Sequence, residues 1–249
     1  MTDDDREVLT LARARERTAS GTLPSLDVVI PAHNATAYIE AAVDSALSQH
    51  GADVHVVVVD DGSDDNLAYR VTSWNESRVT CLRHPVSRGV GAARNTGVAA
   101  CEGLWLGFLD ADDMWPHNRF LQLSAAIRNP SQQMAFGYQL TLDDEAVPEP
   151  AADQPTEGTT LATLAGGILL HRDLFLGVGL FDQELRLGEF VDWMARARLD
   201  GVQERVVPTV ALLRRSHEAN MTRTRRDEYS SYLEVVKRAR ARQRAARGQ

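Results

Sequence analysis

The chain has 249 residues, 43% hydrophobic and 25% charged, which suffices for one sizeable core and excludes a wholly disordered polymer. Its formal charge of -8 is uneven: residues 214–249 carry 11 Lys or Arg against 4 Asp or Glu, leaving 16 basic and 31 acidic residues elsewhere. An acidic body excludes a main domain that grips nucleic acid, and no apolar run approaches the ~20 residues that cross a bilayer.

Residues 1–24 read as a charged helical extension and linker, without the apolar stretch of a secretory signal. Cys81 and Cys101 make no metal or redox spacing, so a cytoplasmic address is the expectation. Asp27 to Ile30 reads as a first strand, stopped by Pro31. A helix follows, with Ile39, Ala42, Val43, Ala46 and Leu47 at helical spacing. Val54 to Val59 is a second strand, almost continuous in Val, as a parallel sheet covered on both faces requires. Asp60-Asp61-Gly62-Ser63-Asp64 predicts a turn and a helix N-cap. Val79 to Leu82 is a third strand, and Gly89 to Ala100 a helix of small residues. Leu104 to Leu109 is a fourth strand, followed by Asp110-Ala111-Asp112-Asp113, and Pro116 suits the first turn of the next helix.

From Leu140 to Thr160 the pattern dissolves into an acidic, proline-containing loop of the kind that often carries function. Structure resumes at Gly166 to His171, with a turn at Gly177 to Asp182, a helix from Glu189 and an apolar stretch from Val206 to Leu213. Residues 226–249 predict a basic helix whose stripe of Tyr229, Tyr232, Leu233 and Val236 packs on the body. Its charges either offset the acidic body in solvent or offer peripheral contact with an anionic partner or membrane surface. The alternation of strand and helix specifies an α/β fold with a mostly parallel sheet.

Three carboxylates within four residues at Asp110, Asp112 and Asp113 repel one another unless a cation sits among them. Hard oxygen ligands suit Mg²⁺ or Mn²⁺, with a bound diphosphate completing the shell. An acidic loop of helix-capping aspartates is the alternative. A second cluster, Asp60-Asp61, ends another strand of the same sheet, and Gly89-Val90-Gly91 lacks the pattern of a glycine-rich phosphate loop. A nucleotide held through aspartate and metal is the reading that these features favour together.

Four motifs in order carry a resemblance: Val28-Val29-Ile30-Pro31-Ala32-His33-Asn34, Val59-Asp60-Asp61-Gly62-Ser63, Arg88-Gly89-Val90-Gly91-Ala92-Ala93-Arg94-Asn95-Thr96-Gly97, and Phe108-Leu109-Asp110-Ala111-Asp112-Asp113. With them the chain resembles the inverting family 2 glycosyltransferases of the GT-A fold. The resemblance implies a Rossmann-like domain over residues 25–225, with a nucleotide-binding half (25–115) and an acceptor half (116–225). It implies that Pro31, Ala32 and His33 line the base pocket, although His33 could instead be an ordinary loop histidine, and that Asn34 also contacts the donor. Asp61 would hydrogen-bond the base, with Asp60 close by. Arg88 and Arg94 would reach the nucleotide or brace its loop, although Arg94 could instead pair with Asp60. Asp110 and Ala111 would lie on the ribose side, while Asp112, supported by Asp110 and Asp113, holds Mn²⁺ or Mg²⁺.

Further along the match is weaker. Glu189 is the first choice for the base that takes the acceptor proton, and Asp192 either orients the site or is a charge at a helix N-terminus. Phe190 stands where the family shows a second acid. His217 is the candidate late ligand to metal or phosphate, and Trp105, Trp115 and Trp193 are candidates to stack on sugar, Trp105 more readily as core. The implied donor is a UDP-, GDP- or dTDP-sugar. The implied acceptor is a small molecule, peptide, carbohydrate or lipid-linked hydroxyl. The alternatives are a catalytically degenerate sugar-nucleotide-binding or scaffold protein, supported by Phe190, and a nucleotidyltransferase, which would need the missing glycine-rich loop.

Overall fold

The computed structural model describes residues 23–143, 154–185 and 187–216. The expected 1–24 extension, the 226–249 helix and His217 therefore lie wholly or almost wholly outside the described residues. The first half alternates strictly: β1 (Ser25–Ala32), α1 (Ile39–Leu47), β2 (Asp53–Asp61), α2 (Leu67–Ser73), β3 (Val79–His84), α3 (Val90–Ala99) and β4 (Trp105–Phe108). These strands are parallel, in the order β3-β2-β1-β4. The valine run of β2 follows from burial on both faces. Val56 and Val58 pack with Val28, Ile30, Ile39, Val43 and Leu67, while Val57 and Val59 turn to the opposite face with Val29, Ala93 and Val98. Helix α3 is rich in small residues because it lies close on the sheet. A Cβ added at Gly97 would sit 2.4 Å from Val29 Cγ1.

The second half is α4 (Arg119–Ala126), β5 (Gln133–Asp143), β6 (Thr160–Leu161), a 3-10 turn at Ala165–Gly167, β7 (Ile168–His171), α5 (Arg172–Val178), α6 (Glu189–Leu199) and β8 (Gln203–Ser216). Here the sheet becomes mixed. β7 pairs antiparallel with both β4 and β5, β6 pairs antiparallel with β5, and β8 runs parallel along β5.

Four local expectations need correction. Pro31 does not stop β1. Val29, two residues earlier and facing the same neighbour, accepts the Leu109 N–H at 3.1 Å, and β4 ends at Phe108, so the missing N–H of Pro31 costs no ladder bond. Asp64 does not cap α2, which starts after a left-handed Asn66; the Asp64 N–H instead donates to Asn34 Oδ1 at 2.8 Å. Helix α4 starts at Arg119, beyond Pro116, whose carbonyl accepts the Arg119 N–H at 3.1 Å. β5 continues past Leu140 to Asp143 because β8 supplies a partner along its whole length. Among the described residues no helix is long and apolar enough to cross a membrane.

Candidate active site

β1 is flanked by β2 on one side and β4 on the other, while α1 and α3 cover opposite faces of the sheet. The strand order reverses there, the point at which open α/β sheets leave a ligand crevice beyond the carboxyl ends of their strands. Pro31 and Ala32 end β1 in buried positions, His33 and Asn34 follow exposed, buried Asp60 and Asp61 end β2, and Asp110 to Asp113 follow β4.

The turn after β2 is tied down from several sides. Gly62 has φ 73, and a Cβ there would sit 2.6 Å from the Ser87 nitrogen. His33 Nδ1 lies 2.8 Å from the Asp61 carbonyl, and the Asn34 N–H donates to Ser63 Oγ at 2.9 Å. Asp60 accepts the Ser63 N–H at 2.8 Å and pairs with Arg83.

Asp61 faces the opposite way. Its carboxylate accepts from His84 Nδ1 (2.6 Å), Ser87 Oγ (2.8 Å), the Arg88 N–H (2.9 and 3.0 Å) and the Gly89 N–H (2.8 Å). Burial pushes this carboxyl up, but the bonds from Arg88, His84, Ser87 and Gly89 outweigh it and hold it below its ordinary value. A carboxylate offers about four acceptor positions, and the 84–89 loop fills them. The expected bond from Asp61 to a base would have to displace one of these donors.

On the other side of the crevice Arg94 is buried between two acids. One terminal nitrogen donates to Glu189, the other to Asp110 Oδ1 at 2.6 Å. Burial alone would favour the neutral guanidine; the charges of Asp110 and Glu189 outweigh it, so the proton is held more tightly than usual. Arg94 does not pair with Asp60, which takes Arg83 instead. Glu189 opens α6 after a left-handed Gly188, and its Oε2 accepts no hydrogen bond among the described residues.

Asp113 is buried and accepts the Arg215 N–H at 3.0 Å. Burial first, then the charges of Asp110 and Asp112, push its carboxyl up to about 8, against the opposing pull of the Arg215 N–H and the Arg214 charge. That crowding is what a cation would relieve. Among the described residues no three His, Cys, Asp or Glu side chains form a metal cluster. Mg²⁺ and its like use one or two carboxylates plus substrate phosphates rather than an all-protein cage, so the donor set fits such an ion.

Asp192 is buried rather than exposed. It accepts from Arg196 Nε at 3.0 Å, and Arg196 also donates to the carbonyls of Val178 (2.9 Å) and Leu180 (2.7 Å), so this pair fastens the 178–180 turn. Phe190 lies in the apolar cluster with Phe108, Phe175, Phe181 and Trp193. Trp105, Trp115 and Trp193 are all buried, which removes them as stacking platforms for sugar. Arg88 is exposed, with its guanidinium 3.3 Å from Gln183 Oε1. Reasoning from sequence gave no individual role to Arg83, His84, Thr96 or Arg215, although Thr96 stands in the third motif. The available signal was the basic pair Arg83-His84, which ends β3 in register with Asp60-Asp61.

The model of the glycosyl transferase family 2 matches residues 27–166. The chain belongs to that family. This family 2 chain is 31% identical over 130 residues to the Escherichia coli UDP-Glc:alpha-D-GlcNAc-diphosphoundecaprenol beta-1,3-glucosyltransferase WfgD, covering 52% of the chain and 51% of that relative. It is 40% identical over 106 residues to Escherichia coli chondroitin synthase, covering 41% of the chain and 15% of the synthase. The chain thus spans about half the length of the first relative and far less of the second. Its fold is GT-A, like that of S. aureus TarS 1-349 in complex with UDP-GlcNAc, with a TM-score of 0.68 at 18% identity, covering 86% of this chain and 65% of that one.

Proposed function

We propose that the chain transfers a sugar, with inversion, from a nucleotide diphosphate donor to a saccharide hydroxyl, with Mn²⁺ or Mg²⁺ bound beside the donor. The observation that carries the reading is the buried ion-pair chain Glu189–Arg94–Asp110. It brings an acid from the start of α6 to the aspartate-rich end of β4, within the crevice of the sheet. Relatives named for UDP-glucose transfer and chondroitin synthesis, and a structural neighbour bound to UDP-GlcNAc, favour a UDP-sugar over GDP- or dTDP-sugars and a saccharide over peptide or small-molecule acceptors.

In this reading Glu189 Oε2 takes the acceptor's hydroxyl proton as the hydroxyl oxygen bonds to the anomeric carbon. The bond from that carbon to the diphosphate breaks on the opposite side, and the diphosphate leaves with the electron pair. Asp112, supported by Asp110 and Asp113, would hold the ion, and a bound ion would supply positive charge to offset that of the departing diphosphate. Arg94 holds the other Glu189 oxygen and so keeps Oε2 aimed. Pro31, Ala32, His33 and Asn34 border the base, and Arg88 reaches the nucleotide from the exposed rim.

The second reading, a protein that binds a sugar nucleotide without turning it over, is favoured by Phe190, which puts a buried ring where the family shows an acid. Calorimetry with UDP, GDP and dTDP, each with and without Mn²⁺, separates the readings when paired with a turnover assay. Metal-dependent UDP binding that is lost in a folded Asp112→Ala variant, together with sugar transfer, supports the first. Binding without transfer across a panel of UDP-sugars and saccharides supports the second, and no nucleotide binding at all sinks both.

A further inference from the structure

We propose that His84 and Thr96 form, with Asp61, a buried relay that shapes the 84–89 loop for nucleotide binding, making His84 a positioning residue of the donor site. This rests on the donor-binding reading above. His84 ends β3 as the register partner of Asp61, and its side chain is 7% exposed. Nδ1 lies 2.6 Å from Asp61 Oδ1 and Nε2 lies 2.9 Å from Thr96 Oγ1 on α3. An ionised carboxylate only accepts, so Nδ1 carries the proton toward Asp61; in the neutral ring Nε2 accepts from the Thr96 hydroxyl. One imidazole thereby joins β2, β3 and α3 at the rim of the crevice.

The loop leading into α3 hangs from the same carboxylate through Ser87 Oγ and the Arg88 and Gly89 N–H groups. Gly89 enters α3 at φ 92, and Arg88, between these anchors, presents its side chain to solvent. Turning the Asp61 carboxylate by one acceptor position would redirect the Arg88 backbone. His84 and Thr96 resist that turn. The neighbouring register pair does the corresponding work on the other loop: Arg83 holds Asp60 and also donates to the Ser63 carbonyl at 2.9 Å. Two successive acid–base pairs between β2 and β3 thus fasten two loops of the crevice.

The test uses the full chain with UDP and Mn²⁺ as probes, comparing His84→Leu, His84→Asn and Thr96→Val. Asn places an amide N–H where Nδ1 stood, so it retains the bond to Asp61 and gives up the one to Thr96. Expected are a loss of UDP affinity of about tenfold in His84→Leu, recovery of most of it in His84→Asn, and a loss of a few fold in Thr96→Val. In turnover, the loss falls on the donor KM rather than on kcat. Should His84→Leu fail to fold, the other two variants still decide the matter. Affinity within twofold of wild type in every folded variant, or a loss confined to kcat, overturns the relay while leaving the donor reading intact. A wild-type chain that binds no nucleotide overturns both.

Discussion

Arg94 and Glu189 form a buried ion pair whose other end is Asp110, so one guanidinium serves acids from two distant segments of the chain. Breaking a buried pair by removing one partner costs about 3–5 kcal/mol, chiefly because the remaining charge is stranded. Arg94→Met should lower the unfolding free energy by about that amount, measured by urea titration. Arg94→Met combined with Glu189→Gln should recover part of the loss; strict additivity of the two changes would show that they do not share one network.

Glu189→Gln keeps the shape of the side chain and removes its basicity. Under the proposed mechanism kcat falls by about 10²–10⁴ while UDP affinity stays close to wild type. A variant that retains full turnover would move the base to another residue.

Asp113 stays protonated in the folded chain up to about pH 8, whereas its ordinary value is 3.8. Between those values the unfolded state gives up a proton that the folded state keeps. Stability in metal-free buffer should therefore be fullest below pH 3.8 as far as this group goes, and decline as pH rises toward about 8. Asp113→Asn should flatten that slope in thermal melts. Binding of Mn²⁺ below pH 8 should release protons, detectable as a buffer-dependent heat in calorimetry.

His171 titrates the other way. Buried edge-on against Trp105, with a ring separation of 4.2 Å, its imidazole is pushed down to about 4 by burial, against the weaker pull of Asp173. Below 6.5 the unfolded chain takes up the proton first, so this group removes stability as pH falls from 6.5 to about 4. His171→Leu should weaken that acid sensitivity in urea midpoints measured across this range. An unchanged pH profile would place the sensitivity elsewhere.

Restoring an acid by Phe190→Asp should damage the fold rather than repair a site. The ring belongs to a cluster with Phe181 and Trp193, where truncation of a Phe costs about 3–5 kcal/mol and an unpaired carboxylate costs more. The expected result is a lower melting temperature with no gain in turnover. A stable, faster variant would mean that position 190 can face the crevice.

The sequence by itself determined the α/β half of the molecule and the family. Valine runs, small-residue helix positions and acid-rich strand ends are local signals, and Val54 to Val59, Gly97 and Asp110 to Asp113 each report the burial or turn that they occupy. Helix α6 was legible from Glu189 onward for the same reason. Tertiary structure alone decided which charges meet. Arg94 could have taken Asp60, but Asp60 is claimed by Arg83 on the next strand, and Arg94 turns to Glu189, 95 positions away. It also decided that Asp61 spends its carboxylate on the 84–89 loop, that Asp192 locks a turn through Arg196, and that β5 runs on to Asp143 because β8 lies beside it. An acid's environment is set by whatever the fold packs against it, and those neighbours come from segments that no local pattern can pair.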